Sequence, residues 1–185
     1  ALHRGLGALD VEVGVLLESQ RKLRLAVLAG VDAAGGVDRV DEVLDLLFRV
    51  FCEPRLDAVI TLSPTYGMYK VLANVNAVGH IEVTLTTAFQ PEVEEILRQS
   101  GKHTKILFLC SPNNPSGNLL DRSLVLELLE RFPGLVVIDE AYIDFAGDEG
   151  YVSLLSAFPR LVVTQTLSKA YGQAGIRVGI CLANP

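Results

Sequence analysis

Long apolar runs, an excess of positive charge and paired cysteines are all missing from this sequence, and each shortage excludes a class of protein. Apolar stretches such as Ile106-Leu107-Phe108-Leu109-Cys110 end after a few residues, far short of the roughly 18–20 that cross a bilayer, so the chain reads as soluble, with no membrane partner. Lys and Arg number 16 against 22 Asp and Glu, a formal net charge of −6, and no basic cluster stands out. That balance argues against a nucleic-acid or anionic-lipid surface, which needs a basic footprint. The three cysteines, Cys52, Cys110 and Cys181, make neither an even set nor a CxxC pair, and they sit in or beside apolar segments, as reduced, buried thiols of a cytoplasmic protein do. His3, His80 and His103 have no metal-ligand spacing with one another or with the cysteines, so no metal site is expected. The first residues, Ala1-Leu2-His3-Arg4-Gly5, lack an apolar core followed by a small-residue cleavage site, and no secretion signal is read there. Internal repeats and low-complexity blocks are absent as well.

What is present is 185 residues, half of them hydrophobic, a length that fits one domain able to hide roughly 68–70% of its unfolded surface. Residues 1–35 are rich in Ala, Val, Leu and Gly and stay unassigned. Beyond them the pattern sharpens. Val40, Val43, Leu44, Leu47, Phe48 and Phe51 recur at helical spacing, and Cys52-Glu53-Pro54 stops the run. A strand follows at Ala58–Leu62, a helix carried by Met68, Val71, Leu72 and Val75, a strand at His80–Thr84, and a helix over Pro91–Gln99 opened by its Pro-Glu pair. Lys105–Cys110 reads as a strand, Asp121–Phe132 as a helix capped by its Asp, Leu135–Ile138 as a strand, Val152–Phe158 as a helix and Leu161–Thr164 as a strand.

Apolar strands alternating with helices imply an α/β fold, a mostly parallel sheet covered by helices on both faces. Such sheets bind ligands beyond the carboxyl ends of their strands, which directs attention to the residues just after each one. After Ala58–Leu62 comes Ser63-Pro64-Thr65-Tyr66-Gly67-Met68-Tyr69. After Lys105–Cys110 comes Ser111-Pro112-Asn113-Asn114-Pro115-Ser116-Gly117-Asn118. Leu135–Ile138 is followed by Asp139-Glu140-Ala141-Tyr142, and Leu161–Thr164 leads to Thr166-Leu167-Ser168-Lys169 and on to Arg177. An acid, an amine, an amide, phenols, hydroxyls and a guanidinium would share one crevice. Pyridoxal phosphate asks for this set: an amine for a Schiff base, a carboxylate for the pyridine nitrogen, and donors for the ring oxygen and the phosphate.

These motifs resemble the fold-type I pyridoxal-phosphate-dependent aminotransferases of class I/II. The segments 63–69 and 111–118 resemble, more narrowly, the histidinol-phosphate aminotransferases among them. The likeness runs from about Glu42 to Pro185, in the expected order. It implies that Lys169 forms the internal aldimine and shuttles a proton, and that Asp139 pairs with the pyridinium nitrogen. It further implies that Asn114 and Tyr142 donate to the ring oxygen and that Tyr66 stacks on the ring. Thr166, Ser168 and Arg177 would hold the phosphate, Arg177 through its planar fork, with Gly172 and Gly175 easing the turn between Lys169 and Arg177. Lys169, Asp139 and Tyr142 are thus the expected catalytic residues.

The resemblance assigns residues 36–185 to the cofactor-binding large domain, without the relatives' N-terminal arm or smaller C-terminal domain. The reaction implied is transamination between histidinol phosphate and 2-oxoglutarate, with glutamate as the amino donor in the reverse sense, within histidine biosynthesis, by a cytoplasmic homodimer. An aromatic or other aminotransferase of the family, and a truncated or degenerate non-catalytic transferase-like domain, are the alternatives. The sequence departs from the family at Gly36-Val37-Asp38-Arg39-Val40-Asp41-Glu42. Only Asp41-Glu42 matches there, and Arg39 and Val40 stand where small residues would let a phosphate approach the helix. The run Leu135-Val136-Val137-Ile138-Asp139-Glu140 also reads as the strand-plus-acid of a nucleotide hydrolase. No GxxxxGK[ST] loop accompanies it, and Gly5-Leu6-Gly7 lacks the third glycine of a dinucleotide fingerprint.

Overall fold

The computed structural model describes residues 12–16, 24–29, 39–176 and 178–184. In chain order the elements are β1 (Glu12–Leu16), β2 (Arg24–Ala29), α1 (Arg39–Phe51), β3 (Ala58–Ser63), α2 (Met68–Val75), β4 (Gly79–Thr84), α3 (Val93–Gln99), β5 (Thr104–Cys110), α4 (Arg122–Arg131), β6 (Leu135–Asp139), β7 (Leu161–Thr166) and β8 (Val178–Ala183). Among the described residues the strands form one sheet in the order β1-β2-β8-β7-β6-β5-β3-β4. From β4 through β7 every pairing is parallel, as the alternation of strands and helices predicts. The joins of β7 to β8, β8 to β2 and β2 to β1 are antiparallel. Two of the strands so joined, β1 and β2, come from the N-terminal stretch that the sequence pattern leaves unassigned, and the third, β8, follows the last strand expected.

The sheet alternates side chains between two cores. Ile60, Leu107, Leu109, Val136, Ile138, Leu161 and Val163 pack with α3 and α4 on one face. Val59, Ile106, Phe108, Val137 and Val162 pack with α1 and α2 on the other. Both faces are therefore buried, the condition for strands that are apolar throughout. Helix α1 follows its spacing: Val40, Val43, Leu44, Leu47 and Phe48 are buried, while Phe51, in the last turn, is 45% exposed. At about 1.5–3 kcal/mol per buried large side chain, this face outweighs the small propensity penalty of its β-branched valines.

Helix α2 exists where expected but is turned about its axis. Val71 and Val75 are 48% and 70% exposed, and Tyr69, Leu72 and Ala73 form the buried stripe instead. The i, i+3, i+4 set that contains the largest ring wins, since burying Tyr69 removes more apolar surface than either valine. Helix α3 starts at Val93, two residues beyond Pro91. Helix α4 begins after Asp121, whose carboxylate accepts the Ser123 amide at 2.8 Å as an N-cap.

The helix expected over Val152–Phe158 is absent: only a 3-10 turn at Val152–Leu154 forms there. The segment is closed in by Gly150, at φ +64°, and by Pro159, which drives Phe158 out of helical geometry. A segment so short between such ends does not repay helix nucleation.

Candidate active site

The carboxyl ends of β3, β5, β6 and β7 meet at a cleft of about 360 Å³ on the α1/α2 side of the sheet. Its walls include Tyr66 from the β3–α2 connection, Cys110 and Asn114 from the end of β5, Asp139, Ala141 and Tyr142 from the end of β6, and Thr166 and Lys169 from the end of β7. Alternation along β6 decides where the acid points. Val137 faces α1 and α2, so Asp139, two residues on, faces them too.

Asp139 is 2% exposed and its carboxylate is held from both sides. Tyr69 Oη donates to Oδ2 at 2.8 Å, and the Ala141 amide donates to Oδ1 at 3.1 Å. A buried carboxylate needs such donors, because an uncompensated charge in the interior is far costlier than an unpaired neutral group. Burial first, and then the charge of Asp139, pushes the Tyr69 phenol well above its ordinary value, so Tyr69 remains a donor. Burial and the same charge push the Cys110 thiol up to about 12. It stays a thiol, with Sγ 3.4 Å from the Pro112 carbonyl.

Across the cleft, Lys169 Nζ stands 5.7 Å from the centre of the Tyr142 ring. The Tyr66 hydroxyl donates to both oxygens of Asp41, at 3.2 and 3.4 Å, tying the β3–α2 connection to the first turn of α1. The amide loop after β5 is fixed from within. Asn113 Nδ2 donates to the Pro64 carbonyl at 3.0 Å and to Ser116 Oγ at 2.7 Å, and Thr65 donates to Asn113 Oδ1 at 3.1 Å. Asn113 therefore builds the loop, and its neighbour Asn114 lines the cleft. A second opening of about 710 Å³ shares Asn114 and Tyr142 as walls and is bounded outward by Phe145.

Of the residues singled out in the sequence, Tyr66, Asn114, Asp139, Tyr142, Thr166 and Lys169 line this one cleft. Ser168 stands beside it, its amide donating to Thr166 Oγ1 at 3.1 Å. Gly172 adopts φ +61° and its amide reaches back to the Lys169 carbonyl at 3.1 Å, so the chain turns sharply there as expected. Arg177, residues 36–38 of the phosphate turn, and His3 lie outside the described residues. Val40, from that turn, is buried and forms part of the cleft wall.

His80 bonds Thr61 Oγ1 at 2.8 Å, and His103 bonds Asp57 at 3.1 Å near the amino ends of β3 and β5, away from the cleft. Among the described residues no group of three His, Cys, Asp or Glu side chains could hold a metal ion, and no helix is long and apolar enough to cross a membrane. Two residues at the site, Asp41 in the cleft wall and Tyr69 behind Asp139, stand within the sequence motifs but are given no role by them. The available signal is the pair of aromatic residues Tyr66 and Tyr69 in one short motif, whose rings meet edge-on at 5.6 Å.

Comparison with known proteins agrees with this architecture. The family model for aminotransferase class I and II matches residues 19–185. A histidinol-phosphate aminotransferase of Flavobacterium johnsoniae is 62% identical over 144 residues, which cover 78% of this chain and 41% of the relative. One from Parabacteroides distasonis is 52% identical over 171 residues, covering 91% of this chain and 50% of the relative. The chain thus spans half or less of these curated relatives. Among solved structures, a histidinol-phosphate aminotransferase from Sinorhizobium meliloti in complex with pyridoxal-5'-phosphate superimposes with a TM-score of 0.69 at 25% identity, over 78% of this chain and 40% of that one. With an acid, an amine, an amide and phenols gathered at the strand ends and a family match across most of its length, this chain belongs to the aminotransferase class I and II family.

Proposed function

We propose that the cleft binds pyridoxal 5'-phosphate and that the whole protein is a transaminase acting on histidinol phosphate and 2-oxoglutarate in histidine biosynthesis. The observation that carries this reading is the meeting of Lys169, Asp139, Asn114 and Tyr142 in one cleft. The chemistry of that set fits the cofactor: a buried carboxylate for a pyridine nitrogen, an amine for an aldehyde, and amide and phenol donors for a ring oxygen. Pyridoxal phosphate, when bound, supplies an electron sink for charge developing at the substrate's α-carbon.

Each residue then has a task. Lys169 would hold the cofactor through its amine, and its Nζ would carry a proton to and from the substrate carbon. Asp139 serves the ring nitrogen, and a charge-assisted hydrogen bond of that kind contributes about 1.5–3 kcal/mol. Asn114 and Tyr142 would donate to the ring oxygen, and Tyr66 would cover the ring. Thr166 and Ser168, together with Arg177, would bind the phosphate. The names of the curated relatives at 62% and 52% identity support the substrate, and a cytoplasmic homodimer is the assembly proposed.

The test is a visible absorption spectrum of the purified chain mixed with pyridoxal phosphate, with borohydride trapping and a Lys169→Ala control. A trapped cofactor that depends on Lys169 is the expected result. No Lys169-dependent band would sink the assignment of this cleft. For the substrate, transamination by the full-length protein should favour histidinol phosphate over an aromatic amino acid, and the reverse preference would overturn that choice.

A further inference from the structure

We infer that Tyr69 is a positioning residue whose hydroxyl keeps the Asp139 carboxylate ionised and in one orientation at the cleft wall. The inference rests on the reading of Asp139 as the carboxylate for the cofactor's ring nitrogen. Tyr69 does not itself line the cleft and acts through Asp139.

The two residues are 70 positions apart in the chain, yet Tyr69 Oη lies 2.8 Å from Asp139 Oδ2. Tyr69 is fully buried and Asp139 is 2% exposed, so water does not compete for the bond. The Tyr69 ring is clamped: it stacks on Phe108 at 4.9 Å and 11°, and meets Tyr66 edge-on at 5.6 Å and 87°. The hydroxyl is therefore aimed by packing, and no rotamer search precedes the bond.

A hydrogen bond to an ionised acceptor is about twice as strong as a neutral one, and in a water-poor interior a carboxylate stripped of a donor is poorly compensated. The chemical consequence concerns a shared proton. Between a pyridine nitrogen and a carboxylate the proton rests on the more basic atom, and a donor on the carboxylate favours its charged form. With the cofactor bound, Tyr69 would thereby favour the proton on the ring nitrogen and so tune how strongly the ring draws electrons. Helix α2 is turned to bury Tyr69 in place of Val71 and Val75, which brings the hydroxyl to the end of β6.

The test compares wild type, Tyr69→Phe, Asp139→Asn and the double variant. Tyr69→Phe removes the hydroxyl and keeps the ring, so the fold is retained. The first readout needs no cofactor: the carboxyl carbon-13 resonance of Asp139, assigned by its disappearance in Asp139→Asn, should move in Tyr69→Phe, and an unchanged resonance overturns the inference. The second is the pH dependence of the visible band with pyridoxal phosphate bound. Its midpoint should shift by about one unit in Tyr69→Phe, a roughly tenfold change in the proton equilibrium. Adding Tyr69→Phe to Asp139→Asn should produce no further shift. An unmoved midpoint, or the same shift whether or not Asp139 is present, overturns the inference. If wild type binds no pyridoxal phosphate, the functional reading fails, and the carbon-13 resonance alone decides the role of Tyr69.

Discussion

Gly150 is folded directly against the buried carboxylate of Glu140: a Cβ at Gly150 would stand 2.5 Å from Glu140 Oε1 and 2.9 Å from its Cδ. Gly150 also adopts φ +64°, a region that costs L-residues about 1–2 kcal/mol. Gly150→Ala should therefore destabilise the protein by about 2–4 kcal/mol, the backbone term plus a steric one. Gly147→Ala is the natural comparator, since Gly147 has φ +63° with open space around it and carries only the backbone term. Urea denaturation of both variants checks this, and equal losses would mean that Glu140 moves aside without penalty.

Glu140 itself should make stability depend on pH. It is 1% exposed and accepts from the Tyr151 amide at 2.6 Å and from Gln165 Nε2 at 2.8 Å, but burial dominates and raises it above its ordinary value of 4.5. A carboxyl raised in the folded state contributes stability that is fully present below about pH 4.5 and is lost as pH rises through its folded-state value. Glu140→Gln keeps the shape and removes the ionisation. Its stability relative to wild type should therefore improve steadily as the pH is raised from about 4 towards about 7. A difference that stays flat across that range would show that Glu140 ionises in the fold without penalty.

Thr164 offers a stabilising change. Register places it beside Asp139, and its hydroxyl is buried with no hydrogen-bond partner among the described residues. Leaving such a group unsatisfied costs about 1–3 kcal/mol, so Thr164→Val should raise the unfolding free energy by about 1 kcal/mol. Chemical denaturation at neutral pH measures it. A loss of stability would reveal that the hydroxyl has a partner in solution.

Phe108 is the middle of an aromatic column, stacked on Phe48 at 5.3 Å and on Tyr69 at 4.9 Å. Phe108→Leu keeps the site apolar but removes two ring pairs, each contributing about 0.5–1.5 kcal/mol, so a loss of about 1–3 kcal/mol is expected. In a double-mutant cycle with Phe48→Leu the combined loss should fall short of the sum, because both changes remove one shared pair. Full additivity would indicate that the stacking contributes nothing beyond burial.

Much of this molecule is legible in the sequence. The apolar strands Ala58–Leu62, Lys105–Cys110, Leu135–Ile138 and Leu161–Thr164 lie within β3, β5, β6 and β7, and the polar residues that follow them meet in one cleft. Both follow from local rules: a strand buried on two faces must be apolar throughout, and the ends of parallel strands share one edge. The failures have separate causes. In α2 the pattern of Met68, Val71, Leu72 and Val75 is a valid amphipathic stripe, but so is that of Tyr69, Leu72 and Ala73, and periodicity cannot rank two stripes on one short helix. At Val152–Phe158 apolar spacing suggests a helix that Gly150 and Pro159 cut to a single turn.

The sequence by itself determined the order of strands and helices from α1 to β6, the parallel pairing of the strands it names, and which chemical groups stand at their ends, because each depends on residues near one another in the chain. Only the tertiary structure decided which face of α2 is buried, that β7 is flanked by the antiparallel β8, and that Tyr69 of α2 meets Asp139 of β6 at 2.8 Å across 70 residues. A hydrogen bond between residues so far apart leaves no periodic trace in the sequence. It arises when α1 and α2 pack on the sheet and the ring that fills the gap beside Phe108 carries its hydroxyl to the only place the packing allows.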